Sequence, residues 1–279
     1  PARLQTDRNP PATDDMNLIH PITVAYGGGV NSTAMLAGFA QREIVPSMIT
    51  FADTGGERPE TYEHVQIISD WCVKTWGIQI EVVRKLYQGA FEGLEKECLR
   101  KSVLPSLAYG RKACSLKFKV DPQNRALAKW MRLHQITHVT TAIGYDAMEG
   151  HRAAKETTTP IGKGLTKENW YPLIDWQLSR SGCRDLITSQ GLPIPPKSAC
   201  FFCPASKRKE IAQLPADLYA RAIAIEEKAQ ATTTLGLGRD LHWRNVAKDA
   251  EVWDWIDDHD ATKIPCGCFD EGPEIAGAI

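Results

Sequence analysis

Residues 21–33, Pro-Ile-Thr-Val-Ala-Tyr-Gly-Gly-Gly-Val-Asn-Ser-Thr, constrain the chain more than any other stretch. Ile22, Val24 and Tyr26 have strand chemistry. Gly27, Gly28 and Gly29 let a backbone approach a ligand closely, and Asn31 and Ser32 suit the N-cap of a helix over Thr33–Arg42. A strand, a glycine loop and a helix start in that order aim backbone N–H groups at one point. The helix dipole adds partial positive charge there, so phosphate or pyrophosphate is the expected occupant. A plain Gly-rich turn is the other reading of the same residues.

The segments that follow repeat this alternation. Pro46–Asp53 reads as a buried strand ending in an acid, and Thr54-Gly55-Gly56 turns the chain. A helix is expected from Pro59 to about Trp76, with Pro in its first turn and Glu57 and Glu60 complementing its dipole. Ile78–Val83 gives a third strand, Phe91–Arg100 and Pro122–His134 two helices, and His138–Gly144 a fourth strand. Strands and helices at this spacing imply a Rossmann-like α/β fold, a parallel sheet with helices on both faces. Ligands of such a sheet lie at the carboxyl ends of its strands. Gly27–Ser32, Asp53-Thr54-Gly55 and Gly144–Glu149 all fall at such ends, and this convergence favours a nucleotide site. No Gly-x-x-x-x-Gly-Lys-Ser/Thr pattern occurs, and 155–169 reads as a mobile polar loop.

Composition bounds the rest. The 279 residues suffice for one large domain or a domain with an appendage, and the net charge of −1 excludes the basic stripe of a dedicated nucleic-acid binder. With no signal-peptide pattern and no membrane-length apolar run, a cytoplasmic chain that binds no membrane is expected. Eight cysteines in such a chain point to metal or redox chemistry more than to disulfides. Cys200-Phe-Phe-Cys203-Pro204 places two thiolates on one tight loop, a bite for zinc or an iron–sulfur cluster. Cys72 and Cys98 lie in helical patterns and read as packing residues. The seven histidines show no metal spacing, with His151 the most favoured of them to meet a ligand.

Five motifs in order resemble the phosphoadenosine-phosphosulfate (PAPS) reductase-like branch of the adenine-nucleotide alpha-hydrolase superfamily, with its pyrophosphate (PP) loop. They are Gly27-Gly-Gly-Val-Asn-Ser32, Asp53-Thr-Gly-Gly-Glu-Arg-Pro-Glu-Thr-Tyr62, Cys114–Pro122 followed by Arg125, Gly144–Arg152, and Tyr171-Pro-Leu-Ile-Asp-Trp176. Asn31 stands where the family loop has aspartate and Tyr145 where it has arginine. Residues 1–20, with Pro10, Pro11, Asp14 and Asp15 and no sustained periodicity, read as a flexible N-terminal arm, followed by an expected nucleotide-binding domain over 21–176 and a mainly helical cysteine region over 177–279 packed on it.

The resemblance implies site residues. ATP (or PAPS) would lie on Tyr26, Gly27, Gly28, Gly29, Asn31, Ser32, Gly144, Glu149 and Arg152. Ser32, Lys117 and Lys119 would handle phosphate charge. Asp53, beside Thr54 and Gly55, would hold a ribose hydroxyl or Mg²⁺ through water. Cys114 and Cys183 would join Cys200 and Cys203 around a [4Fe–4S] cluster, with structural zinc and ordinary thiols as the other readings. Cys266-Gly267 matches only the core of the family's C-terminal Glu-Cys-Gly-x-His motif, so Cys266, beside Cys268, is either a sulfur-handling nucleophile or part of a turn.

Three functions stay open on these residues. The favoured one is ATP-dependent adenylation followed by sulfur transfer, including thiolation or phosphorothioation of a nucleic acid reached through a partner, with a cysteine desulfurase as sulfur donor. The second is a PAPS or adenosine-phosphosulfate reductase that releases sulfite with thioredoxin. The third is a non-catalytic nucleotide sensor in a defence or modification complex.

Overall fold

In the computed structural model, which describes residues 20–153, 158–239 and 241–246, the alternation expected from the sequence takes the following form. The first half runs β1 (Ile22–Tyr26), α1 (Val30–Gln41), β2 (Met48–Asp53), α2 (Pro59–Trp76) and β3 (Ile80–Arg84). A small hairpin, β4 (Leu86–Tyr87) and β5 (Ala90–Phe91), leads to α3 (Leu94–Lys101). Then come α4 (Ala113–Ser115), a π-helical turn (Leu116–Val120), α5 (Asp121–Leu133), β6 (His138–Ile143), β7 (Thr158–Gly162) and β8 (Leu165–Trp170). Four helices follow: α6 (Pro172–Asp175), α7 (Arg180–Ser189), α8 (Arg208–Ala212) and α9 (Ala216–Ala229).

Six strands form one sheet in the order β3-β2-β1-β6-β8-β7, parallel except for β7, which runs antiparallel to β8. Every residue of β1 and β2 is buried, as both-faced helix cover demands. The chain is an α/β Rossmann-like fold. Its strand order reverses between β1 and β6, since β2 and β3 continue on one side of β1 while β6 lies on the other. A crevice opens at such a reversal.

The helix bounds follow local chemistry. Pro59 opens α2 as its first residue, Glu60 and Lys74 match the two ends of the dipole, and Gly77 closes it at φ +74°. Helix α1 begins earlier than the cap expected at Asn31 or Ser32: Gly29 is its N-cap, and Thr33 N donates to Gly29 O at 3.0 Å. The helix over Phe91–Arg100 is shorter at its start, because Phe91 pairs with Leu86 in the hairpin.

The reading of 155–169 as a mobile loop is corrected for the described part. Residues 158–170 form the β7–β8 hairpin, and β8 pairs with β6 from His138↔Thr166 to Ala142↔Trp170. In β8 the buried positions are Leu165, Lys167 and Asn169. Two of those three are polar, which hid the period of two from a hydrophobicity reading.

Among the described residues two large cores carry most of the buried apolar side chains, and two smaller clusters, around Met131 and around Tyr145, add to them. The main one joins β1 and β2 to α1, α2 and α7, with Phe39, Met35, Leu36, Ile68 and Ile187 fully enclosed. Each such side chain contributes about 1.5–3 kcal/mol by leaving water. The second gathers Leu94, Cys98, Leu104 and Phe118 with Phe201, Phe202, Ile225 and Trp243. Glu226 on α9 organises that core's far side, its Oε2 accepting from Leu237 N at 2.8 Å and Trp243 N at 2.9 Å. Among the described residues no helix is long and apolar enough to cross a membrane.

Candidate functional site: a phosphate-loop cleft beside a thiol pocket

The crevice between β1 and β6 is a cleft of ≈850 Å³. Gly27, Gly29, Asn31 and Ser32 line one side, and Gly144, Glu149 and Arg152 the other, with Lys119 in the wall. Gly28 holds the loop in shape without facing the cleft. Its φ is +72°, and a Cβ there would press on Thr61, Phe51 and Val65. Gly144 allows the two strand ends to meet, because a Cβ on it would lie 2.8 Å from Ser32 N. Ser32 Oγ donates to Gly29 O at 3.1 Å, fixing the start of α1.

A polar network closes the cleft's far corner. Asn31 Nδ2 donates to Asp146 Oδ2 at 3.1 Å and to Glu149 Oε2 at 2.6 Å, while its Oδ1 accepts from Arg180 at 2.7 Å. Arg152 pairs with Glu149 and lies 4.4 Å over the Tyr145 ring, which in turn stacks on Tyr171 at 5.4 Å. Tyr145 therefore supports an arginine from a position where the family pattern has one. Sequence reasoning missed Arg180, Lys197 and Ser198 as lining residues. Arg180 opens α7 behind the Ser179 N-cap, a pattern that speaks of a helix start and not of a site.

Several expected residues lie elsewhere. Tyr26 is fully buried, shares a 3.0 Å hydrogen bond with Thr33, and has its phenol pushed up by burial, so it is a core residue. Asp53, expected to hold a ribose hydroxyl or Mg²⁺, is engaged with the protein itself and does not line the cleft. Its Oδ1 accepts from Gly55 N and Tyr62 Oη, both at 2.8 Å, and its Oδ2 from Arg84 Nε at 2.8 Å. Gly55, at φ +69°, packs on Gly93 and does not line the cleft. Lys117 is exposed and lines a groove with Cys98 and Arg111 on the opposite side of Cys114, away from the phosphate loop.

A second cavity of ≈590 Å³ adjoins the first, lined by Thr54, Lys112, Cys114, Lys119, Cys200 and Cys203 among others. The Cys-x-x-Cys turn is docked onto the loop after β2. Cys200 bridges Glu57, Phe201 N donates to Gly56 O at 2.8 Å, and Cys203 N donates to Cys200 O at 3.0 Å. Cys200 Sγ lies 3.2 Å from Thr54 Oγ1. Lys119, on the π-helical turn, lines both cavities and sits 3.2 Å from the buried Glu57. Such turns recur at functional sites.

The fourth thiol of the expected ligand set is elsewhere. Cys183 lies on α7, fully buried in the main core, with burial pushing its thiol up to about 12. Its apolar surroundings keep Cys183 out of the pocket that Cys114, Cys200 and Cys203 line. Cys72 and Cys98 are enclosed in the same way, each also pushed up to about 12 by burial. Cys114, Cys200 and Cys203 remain as the set that shares a pocket. Among the described residues no three His, Cys, Asp or Glu groups converge on a single ion. The three thiols line one pocket, a sulfur donor set of the kind that both zinc and iron–sulfur clusters take. Cys266 and Cys268 lie outside the described residues.

The phosphoadenosine phosphosulfate reductase domain model matches residues 21–196. Among solved structures the chain is similar to the U34-tRNA thiolase NcsA from Methanococcus maripaludis with its [4Fe-4S] cluster, at 12% identity and a TM-score of 0.40, over 88% of this chain and 75% of that one. No curated protein matches the chain. The matched span takes in β1 to α7, both strand ends of the cleft and most of its lining, and on it the chain belongs to the phosphoadenosine phosphosulfate reductase domain family.

Proposed function

We propose that this protein is an adenylating sulfur-transfer enzyme. The observation that carries the reading is the shared wall. Lys119 lines both the phosphate-loop cleft and the thiol pocket, and the segment Ser198–Cys200 runs from one to the other, with Ser198 bonded to Gly27 O and Cys200 to Thr54.

In this reading the pyrophosphate of ATP lies against the Gly27 and Gly29 backbone at the start of α1, where amides and dipole favour an anion. An acceptor oxygen attacks the α-phosphorus in line, and pyrophosphate leaves. Hydrosulfide held at the thiol pocket then attacks the activated atom of the acceptor, forming its bond to sulfur as AMP leaves with the acceptor oxygen. Arg152, held by Glu149 and Tyr145, and Lys119, held by Glu57, keep their charges fixed through both steps, so little reorganisation is needed as charge develops.

Cys114, Cys200 and Cys203 would hold an iron–sulfur cluster, which supplies sulfur-binding and redox chemistry when bound. The acceptor class we favour is a nucleic acid brought by a partner. The family match favours one other reading, a phosphosulfate reductase that releases sulfite. Anaerobic purification with iron and sulfide quantitation, followed by pyrophosphate release from ATP and sulfite release from PAPS with thioredoxin in the same sample, separates them. Iron, sulfide and pyrophosphate without sulfite are expected; sulfite without pyrophosphate would select the reductase.

A further inference from the structure

The cations of the cleft are not equivalent. Lys119 is paired with Glu57, Arg152 with Glu149, and Lys197 with Glu210 at 2.6 Å. Among the described residues Arg180 alone of the four is held by a neutral oxygen in place of a carboxylate, the Asn31 amide oxygen at 2.7 Å. Its side chain is exposed to the cleft. The cause is Asn31 itself. Its Nδ2 is committed to Asp146 and Glu149, which turns its oxygen toward Arg180. A carboxylate at position 31 would neutralise the guanidinium and place a third negative group beside Asp146 and Glu149.

We propose that Arg180 is the anion anchor of the cleft, binding the outer phosphate or sulfonate of an adenosine-based polyanion, and that Asn31 keeps its charge available. This rests on the nucleotide reading of the cleft. A planar guanidinium with one N–H held by Asn31 has further donors to offer two oxygens of one oxyanion. A guanidinium at the mouth of a cleft, in direct contact with no carboxylate, also attracts the ligand from solution.

The test is calorimetric binding of inorganic pyrophosphate to the full chain in EDTA, with ATP and adenosine 5′-phosphosulfate as separate arms that distinguish the source of the anion. Arg180→Ala should weaken pyrophosphate binding at least tenfold, the equivalent of a lost charge-assisted hydrogen bond, and Arg180→Lys should recover part of the loss. Asn31→Asp should weaken binding comparably, with Arg180 still present. An unchanged melting temperature identifies Arg180→Ala as folded, as its exposed position leads us to expect. Binding by Arg180→Ala within twofold of the parent would overturn the anchor while leaving the nucleotide reading standing. Failure of the parent chain to bind any of the three probes would overturn both.

Discussion

Lys119 Nζ lies 3.2 Å from Glu57 Oε1, with the lysine side chain 9% and the glutamate side chain 0% exposed. This pair is the structural joint between cleft and thiol pocket. Removing only the lysine leaves a buried carboxylate uncompensated, at about 3–5 kcal/mol. Lys119→Met should therefore lower unfolding stability by about that amount in urea titrations, and Lys119→Met with Glu57→Gln should recover most of it. Equal loss in the single and double variants would show that the pair is not the coupled unit described.

Gly144 permits the close approach of β6's end to the phosphate loop, where a Cβ would stand 2.8 Å from Ser32 N and 2.9 Å from the Asn31 carbonyl carbon. Backbone cannot move aside as a side chain can. Gly144→Ala should cost about 1–3 kcal/mol and weaken nucleotide binding by displacing the start of α1, whereas Gly150→Ala, with nothing within 4 Å, should leave binding unchanged. Thermal melts and ATP titrations on both variants decide this.

The thiols divide by environment. Cys72, Cys98 and Cys183 are buried, with their ionisation pushed up to about 12, while Cys114, Cys200 and Cys203 are half-exposed around one cavity. In the metal-free native protein at pH 8, alkylation mapped by mass spectrometry should label the second group and spare the first. Labelling of Cys183 at the rate of Cys200 would contradict its assignment to the core.

His64, buried between α2 and α1 with Nε2 3.2 Å from Thr33 Oγ1, is lowered from its ordinary 6.5 to about 4 by burial. Between those values the unfolded chain takes up a proton that the folded chain refuses. Stability is therefore complete above pH 6.5 and falls as pH drops toward 4, by up to about 3 kcal/mol at ~1.36 kcal/mol per unit. The difference between parent and His64→Gln in urea midpoints from pH 7 to 4.5 isolates this contribution. A flat difference would remove His64 from the acid response.

The strands that carry the cleft were legible because β1 and β2 are apolar on both faces and end in glycine or acid. The β7–β8 hairpin was not, since its buried positions include Lys167 and Asn169, whose place is set by neighbours distant in sequence. The same limit applies at the site. Motif spacing located Gly27, Asn31, Gly144, Glu149 and Arg152, all of which line one cleft. It gave no sign that Asp53 stands outside that cleft, its oxygens engaged by Gly55, Tyr62 and Arg84. It also grouped Cys183 with thiols that belong to another core, because which face of α7 turns inward depends on α1. Arg180 was invisible for a related reason: its place in the cleft, on the Asn31 oxygen, belongs to the folded arrangement alone.

The most direct measurement is the product analysis of ATP turned over anaerobically by the full chain, by anion-exchange chromatography. With water in place of the acceptor oxygen, AMP and pyrophosphate are expected, in lower yield from Arg180→Ala and with the same α–β cleavage. ADP and inorganic phosphate as products, or no binding of ATP to the parent protein, would contradict it.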